Sequence, residues 1–374
     1  MERVGIIGIG YEGFRPVVAD LSTREMMYAA ATKAYDDGEI DARKDIGSFI
    51  CCTEDLWEGW SISDEMVPDQ IGGAKRSVCT IPSDGVTGLG HAVMQILAGV
   101  ADVVALEAHS KVGDVLDKDA VERMALEPTY IRPLGINNDL LAGLEMSAFL
   151  ARSGFTREDC NEVVIRSKKR AIANPRASYG AKLTRSEIER SEVLAPPLMR
   201  LDKASFAEAA IVIVLASERW IRRNRKDAIY IDGIAWRSAT PWLEGGGIER
   251  AKYAYHSFQK ASELAGLRPD LSLYDVIELD DTYSYKLLQH LHPLLKKKRE
   301  VRRMIDEDSS LNPSGGSLGV GNLIEATALH KMVECILQLR GVAGKLQIKD
   351  AKRALVLSWR GHPTATGGVA ILSR

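Results

Sequence analysis

Asn312-Pro313-Ser314-Gly315-Gly316-Ser317-Leu318-Gly319-Val320-Gly321-Asn322 is the stretch on which the reading of this chain turns. Asn-Pro opens a turn, and four glycines within seven residues let the backbone approach a ligand or take up positive φ. An amphipathic helix is expected from Ile324 to Leu339, so its N-terminal amides point into the same region. We read a ligand-facing loop before a buried helix and assign Gly315 and Gly316 to substrate contact.

Working outward, the same vocabulary occurs on both sides. Val4 to Ile9 is a short β-branched run ending in Gly10, and Ser22 offers an N-cap for a helix from about Arg24 to Asp36. Strands are expected at Ile46–Cys52 and Asp102–Leu106, with a helix from Gly85 to Gly99 between them. The stretch from about 112 to 200 is charged, helix-prone and punctuated by prolines, and we read it as an inserted helical and loop region. Strands then return at Ala209–Ala216, Ala228–Ile234, Tyr274–Leu279, Arg353–Ser358 and Gly368–Leu372, with a helix at Ala251–Leu264. The second half repeats the order of elements of the first, which points to duplication. The expected fold class is α/β, with mixed sheets covered by helices. The division is 1–225, carrying the insertion at about 112–200, and 226–374.

Composition bounds the function. The 374 residues carry 49 Lys+Arg against 51 Asp+Glu, so no global charge marks a nucleic-acid or anionic-membrane partner. Apolar runs stop well short of the ~20 residues that a membrane span needs. The start, Met1-Glu2-Arg3, leads straight into a strand, so neither a signal peptide nor any location but the cytoplasm is expected. The five cysteines, Cys51, Cys52, Cys79, Cys160 and Cys335, have no metal-ligand spacing, and His290 with His292 lacks a third ligand, so no metal site is expected.

Gly8-Ile9-Gly10-Tyr11-Glu12-Gly13 fits the letters of a dinucleotide fingerprint. That motif needs a helix at once, to bring its N-terminus to the pyrophosphate. Here Pro16 and further residues intervene before Ser22, and no acidic residue ends a matching second strand. A turn is the better reading.

The glycine-rich loop resembles that of the thiolase superfamily, in particular its sterol-carrier-type and archaeal acetoacetyl-CoA branches, where Asn-Pro-x-Gly-Gly precedes Gly-His-Pro. Other stretches agree in order. Val4 to Gly10 with Phe14 is similar to the first strand and turn, and Gly85 to Lys111 to the nucleophile helix and its following strand. Val276 to Tyr283 resembles the strand ending in His-Asp-Cys-Phe, and Gly367 to Leu372 the last strand. The resemblance implies duplicated mixed sheets sandwiching helices in layers. It implies acyl-CoA as substrate, coenzyme A being part of it and no cofactor being held covalently. It further implies a homodimer or a heterodimer with another thiolase-like chain, and a small zinc-ribbon and OB-fold partner.

The reactive positions of the resemblance are replaced. The nucleophile cysteine falls on Pro82, the histidine and cysteine of His-Asp-Cys-Phe on Asp280 and Thr282, and the histidine of Gly-His-Pro on Asn322. Proline has no nucleophilic atom, and a threonine hydroxyl does not ionise usefully. Ordinary Claisen condensation or thiolysis is therefore not expected. The groups left are Asp280, Tyr283, Asn322 as a carbonyl-binding amide, and His362 in Arg360-Gly361-His362-Pro363, with Gly361 as a further substrate contact. Cys79 and Ser83 are the substitute nucleophiles, set against ordinary roles as a buried strand residue and a helix cap. Three readings stay open: aldol-type carbon–carbon chemistry or a degenerate subunit of a thiolase-type complex, acyl transfer through substitute residues, and a scaffold or regulatory subunit without chemistry.

Overall fold

The structure is a computed structural model that describes residues 2–239 and 247–374. Eleven strands are present among them: β1 (Val4–Arg15), β2 (Ser48–Cys52), β3 (Val78–Ile81), β4 (Val103–Ser110), β5 (Val193–Ala195), β6 (Leu198–Met199), β7 (Glu208–Ser217), β8 (Ile229–Ser238), β9 (Val276–Leu279), β10 (Arg353–Trp359) and β11 (Thr366–Ser373). β5 and β6 form a small hairpin, and the other nine make one mixed sheet in the order β3-β2-β4-β7-β1-β8-β11-β10-β9.

That order contains one pattern twice. β2 lies parallel between β3 and β4, β4 pairs antiparallel with β7, and β7 with β1. In the second half β9 lies parallel to β10, β10 pairs antiparallel with β11, and β11 with β8. A parallel bridge from Ile277 to Leu311 stands where β3 stands in the first half. The two sets are joined through antiparallel pairing of Val4–Ile6 with Ile231–Ile229, so the expected pair of sheets is continuous at that seam.

Apolar alternation sorts the chain into layers. Met26, Met27, Ala30 and Ala34 of the helix Thr23–Gly38 pack on Ile7, Phe49, Val103 and Val212. The other face of those strands meets Leu89, Val93 and Ile96 of the helix Gly85–Leu97, together with Leu329, Met332 and Ile336 of the helix Thr327–Arg340. On the far side, Tyr253 and Phe258 of the helix Lys252–Leu264 pack on Ile277, Leu355 and Val369. Each fully buried Leu or Phe contributes about 1.5–3 kcal/mol, and the central helices are buried by both halves.

Local chemistry sets the element ends. Ser22 and Glu25 form a reciprocal capping box before Thr23, an arrangement worth ~1 kcal/mol. The expected turn at Gly8–Gly13 is instead strand, because β1 runs on to Arg15 against β7. A Cβ on Gly10 would lie 2.1 Å from the Ala30 carbonyl oxygen, so this glycine serves close packing of helix on strand. The 112–200 region contains the helices Lys118–Met124, Asn138–Ser153, Arg157–Ala171 and Arg185–Glu189. Elements absent from the sequence reading include the edge strand β3 and the helix Ser284–Leu295.

Candidate active site

The segments that follow β2, β3, β9 and β10 converge on one cavity of about 550 Å³, at the carboxyl ends of the parallel strands where open sheets place their sites. Tyr283, Asn322, Gly361 and His362 line it, together with Pro82, Asp84, Thr282 and Glu325. Residues more than two hundred positions apart are thus brought together.

Several expected residues are elsewhere. The Asp280 carboxylate is fully buried and accepts hydrogen bonds from the Thr282 amide at 3.0 Å and the Thr282 hydroxyl at 3.3 Å. It shapes the turn and does not line the cavity. Ser83 sends its hydroxyl 3.1 Å to that of Thr87 in the first turn of the Gly85 helix, beside the Asp84 cap. Cys79 is exposed on the edge strand β3, so it is neither a buried strand residue nor a nucleophile at the cavity.

The glycine pair also corrects the sequence reading. Gly315 and Gly316 are at φ +96° and +61°, and a Cβ on Gly316 would meet the Asp281 carboxylate at 2.2 Å. Asp281 accepts from the Ser317 amide and the Ser167 hydroxyl, and Gly315 abuts Ala171. These glycines let the loop close over a buried carboxylate and an adjacent helix. Only the far end of the loop, at Asn322, reaches the cavity.

A buried polar network surrounds His362. Its Nε2 lies 3.2 Å from Oε2 of Glu145, on the helix Asn138–Ser153. A carboxylate only accepts, so this nitrogen carries the proton and Nδ1 keeps a free lone pair. The Tyr285 hydroxyl donates to the same carboxylate oxygen at 2.8 Å, while Lys286 at 2.7 Å and Gln289 at 3.0 Å hold the other one. Against burial, the Lys286 charge and the His362 contact hold the Glu145 carboxyl well below its usual range. Burial lowers the pKa of His362, so a neutral imidazole is the resting form. Trp359 and Tyr283 pack edge-on to the ring, with centroids 4.9 and 5.7 Å away, and fix its plane.

Two donors complete the arrangement. The Asn322 side-chain oxygen accepts from the Ile324 amide at 3.0 Å, which turns its NH2 group outward as a donor. Burial raises the Tyr283 pKa, with Asp139 and Glu122 adding to the effect, so its phenol stays protonated. Behind the cavity, His109 bridges Glu107 at 3.0 Å and Glu58 at 3.2 Å. Cys51 donates to Glu107 at 2.8 Å. Ligand-type atoms of Cys51, Glu107 and His109 lie within 4.8 Å of one another.

Glu145 was missed by the sequence reading. The available signal was an acid on the apolar face of a helix, flanked at i−4 and i+4 by Leu141 and Phe149.

A helix-and-sheet sandwich with a doubled strand pattern, and a polar cleft at the carboxyl ends of its parallel strands, defines a layered α/β scaffold. Residues 250–374 match the thiolase C-terminal domain-like family. The chain is 26% identical to an acetyl-CoA acetyltransferase of Methanothermobacter thermautotrophicus, over 99% of this chain and 98% of that protein. It is 24% identical to sterol carrier protein 2 of Bos taurus, over 99% of this chain and 72% of that protein. Among solved structures, an Ltp2-ChsH2(DUF35) aldolase superposes with a TM-score of 0.82 at 20% identity, covering 99% of this chain and 97% of that one. Human mitochondrial 3-ketoacyl-CoA thiolase superposes with a TM-score of 0.75 at 15% identity, covering 100% and 98%. Along its length the chain is thus similar in sequence to acetyl-CoA acetyltransferase and sterol carrier protein 2, and in fold to thiolase-superfamily structures. Among the described residues, no helix is long and apolar enough to cross a membrane.

Proposed function

We propose that this chain cleaves or forms a carbon–carbon bond in a 3-hydroxyacyl-CoA by aldol chemistry, without a covalent acyl-enzyme. The observation that carries this reading is His362, oriented by Glu145 toward a cleft that no described cysteine lines. In the cleavage direction Nδ1 of His362 takes the proton of the 3-hydroxyl group. The O–H electrons form the new carbonyl, the C2–C3 bond breaks, and its electron pair becomes the enolate of a shorter acyl-CoA. The Asn322 amide and the Tyr283 phenol donate hydrogen bonds to the enolate oxygen. Reprotonation at C2 releases the acyl-CoA, and the second product is an aldehyde or ketone.

The Ltp2-ChsH2(DUF35) fold neighbour is an aldolase, which makes this class of reaction the first to assay. The name of that neighbour joins two components, which supports the expectation of a partner subunit for this chain, here a small zinc-ribbon and OB-fold protein. A dimer and a cytoplasmic location belong to the same reading.

The test incubates the protein with branched and unbranched 3-hydroxyacyl-CoA thioesters. Released carbonyl is trapped as a hydrazone, while intact-protein mass spectrometry follows adducts. Expected are a trapped carbonyl in step with a shortened acyl-CoA, and no adduct. An acetyl adduct formed from acetyl-CoA, or thiolysis of a 3-ketoacyl-CoA with no aldol cleavage, overturns the reading.

A further inference from the structure

The structure assigns to Glu325 the delivery of a proton to carbon in this cleft, an inference that rests on the aldol reading and supplies its missing acid. Glu325 follows Asn322 by three residues and is 4% exposed, yet it lines the cavity. Its Oε2 is buried and meets no hydrogen-bond donor among the described residues.

Four other buried glutamates show what a structural role looks like. Glu208 accepts from the Val18 amide, the Gly113 amide and Lys111. Glu334 takes both arms of Arg176. Glu278 accepts from the amide and hydroxyl of Ser314, and Glu145 holds Lys286 and Tyr285. Glu325 has no such partner.

Its surroundings favour the acid form. Glu54 and Glu58, from the segment after β2, and His109 of β4 are the charged groups that act on it. Arg360 is engaged by Glu54 and His109 by Glu107 and Glu58, so among the described residues no free cation compensates. A bare buried carboxylate costs several kcal/mol, and such a group neutralises instead. Burial first, then the two neighbouring glutamates, push the carboxyl well above its ordinary range. Glu325 and Asn322 line the same cavity, so a neutral carboxyl is available in the cleft where the enolate would form.

The step balances. After C2–C3 cleavage, the enolate electron pair takes the proton of the Glu325 carboxyl and forms the C2–H bond. Glu325 is left as a carboxylate and regains a proton from water. His362 releases the proton taken from the 3-hydroxyl.

Two measurements test the assignment. The first follows exchange of the C2 protons of propionyl-CoA in D2O, the reverse of the delivery step, against pH, with calorimetric binding of propionyl-CoA as the control. In the wild type exchange rises with pH as Glu325 ionises. In Glu325→Gln it falls by about 10²-fold, the scale of a lost acid/base group, and loses that pH dependence while binding persists. Exchange by the variant at the wild-type rate overturns the assignment and leaves the aldol reading standing. No exchange by the wild type overturns the aldol reading and the assignment with it. The second measurement does not need turnover. Infrared spectra of wild type and Glu325→Gln at pH 7 are expected to differ by a protonated-carboxyl C=O band, and its absence from the wild type overturns the assignment.

Discussion

Nε2 of His362 and Oε2 of Glu145 lie 3.2 Å apart, although 217 residues separate them, and this contact decides which nitrogen of the imidazole is basic. Glu145 belongs to the inserted helical region and His362 to the loop after β10. The insertion therefore does more than cover the sheet: it supplies the carboxylate that orients the His362 imidazole.

His362→Ala is expected to lower aldol turnover by about 10²-fold or more. Burial lowers the imidazole pKa below its usual 6.5, so the neutral base persists to lower pH than in free histidine. The acid limb of kcat/KM in the wild type should lie below pH 6.5, and a pH–rate profile reads it directly. A limb at or above that value contradicts the burial argument.

Glu145→Ala leaves the Lys286 ammonium, 2% exposed at its side chain, without its carboxylate. Breaking such a pair costs about 3–5 kcal/mol, visible as a lower urea midpoint at pH 7. The Glu145 carboxyl is held well below its usual 4.5. Its contribution is therefore present above the unfolded-state pKa and is lost as pH falls through the folded value. The difference between wild type and variant should shrink on acidification; a constant difference down to low pH counts against the pairing.

Glu278 has the opposite sign. Burial, opposed by Lys331 and reinforced by Glu334, pushes its carboxyl up to about 7. The folded state then binds a proton that the unfolded state releases near 4.5, so this contribution is full below that pH and is lost as pH rises through about 7. Glu278→Gln removes the titration, so the wild type should lose stability relative to the variant toward pH 8 by about 3 kcal/mol, read as a Tm difference that changes with pH. Parallel Tm curves from pH 5 to 8 would refute it.

Gly316→Ala places a methyl group 2.2 Å from the Asp281 carboxylate at a φ of +61°. Clash and strained backbone together should cost about 2–4 kcal/mol, seen as a lowered Tm in circular dichroism. A role in ligand contact alone predicts weaker binding with an unchanged Tm.

Thiol titration separates Cys79 from its fellows. Cys51, Cys52, Cys160 and Cys335 are buried and Cys79 is exposed. The native protein should show one fast thiol and the denatured protein all five. Cys79→Ser should leave turnover unchanged; lost activity would return the nucleophile question to β3.

Much of the layered fold is written in local pattern. β-branched runs, the Ser22 cap, the Gly85 helix and the doubled order of elements are short-range properties, and a linear reading finds them because propensity and periodicity act over a few residues. Tyr283, Asn322, Gly361 and His362, which the same reading singled out, stand next to turns at strand or loop ends and line one cavity. Tertiary structure decided the rest. Gly10 and Gly316 carry the letters of ligand loops, yet what a Cβ would meet depends on Ala30 and Asp281, residues that only packing brings near. Asp280 and Glu325 are both acids on ordinary segments; one is consumed by hydrogen bonds to Thr282 and the other is left without a donor at the cavity. The chain alone determines which groups are available. Their protonation, orientation and access depend on burial and on long-range partners, because electrostatic cost is set by what surrounds a charge in space and not by its neighbours in sequence.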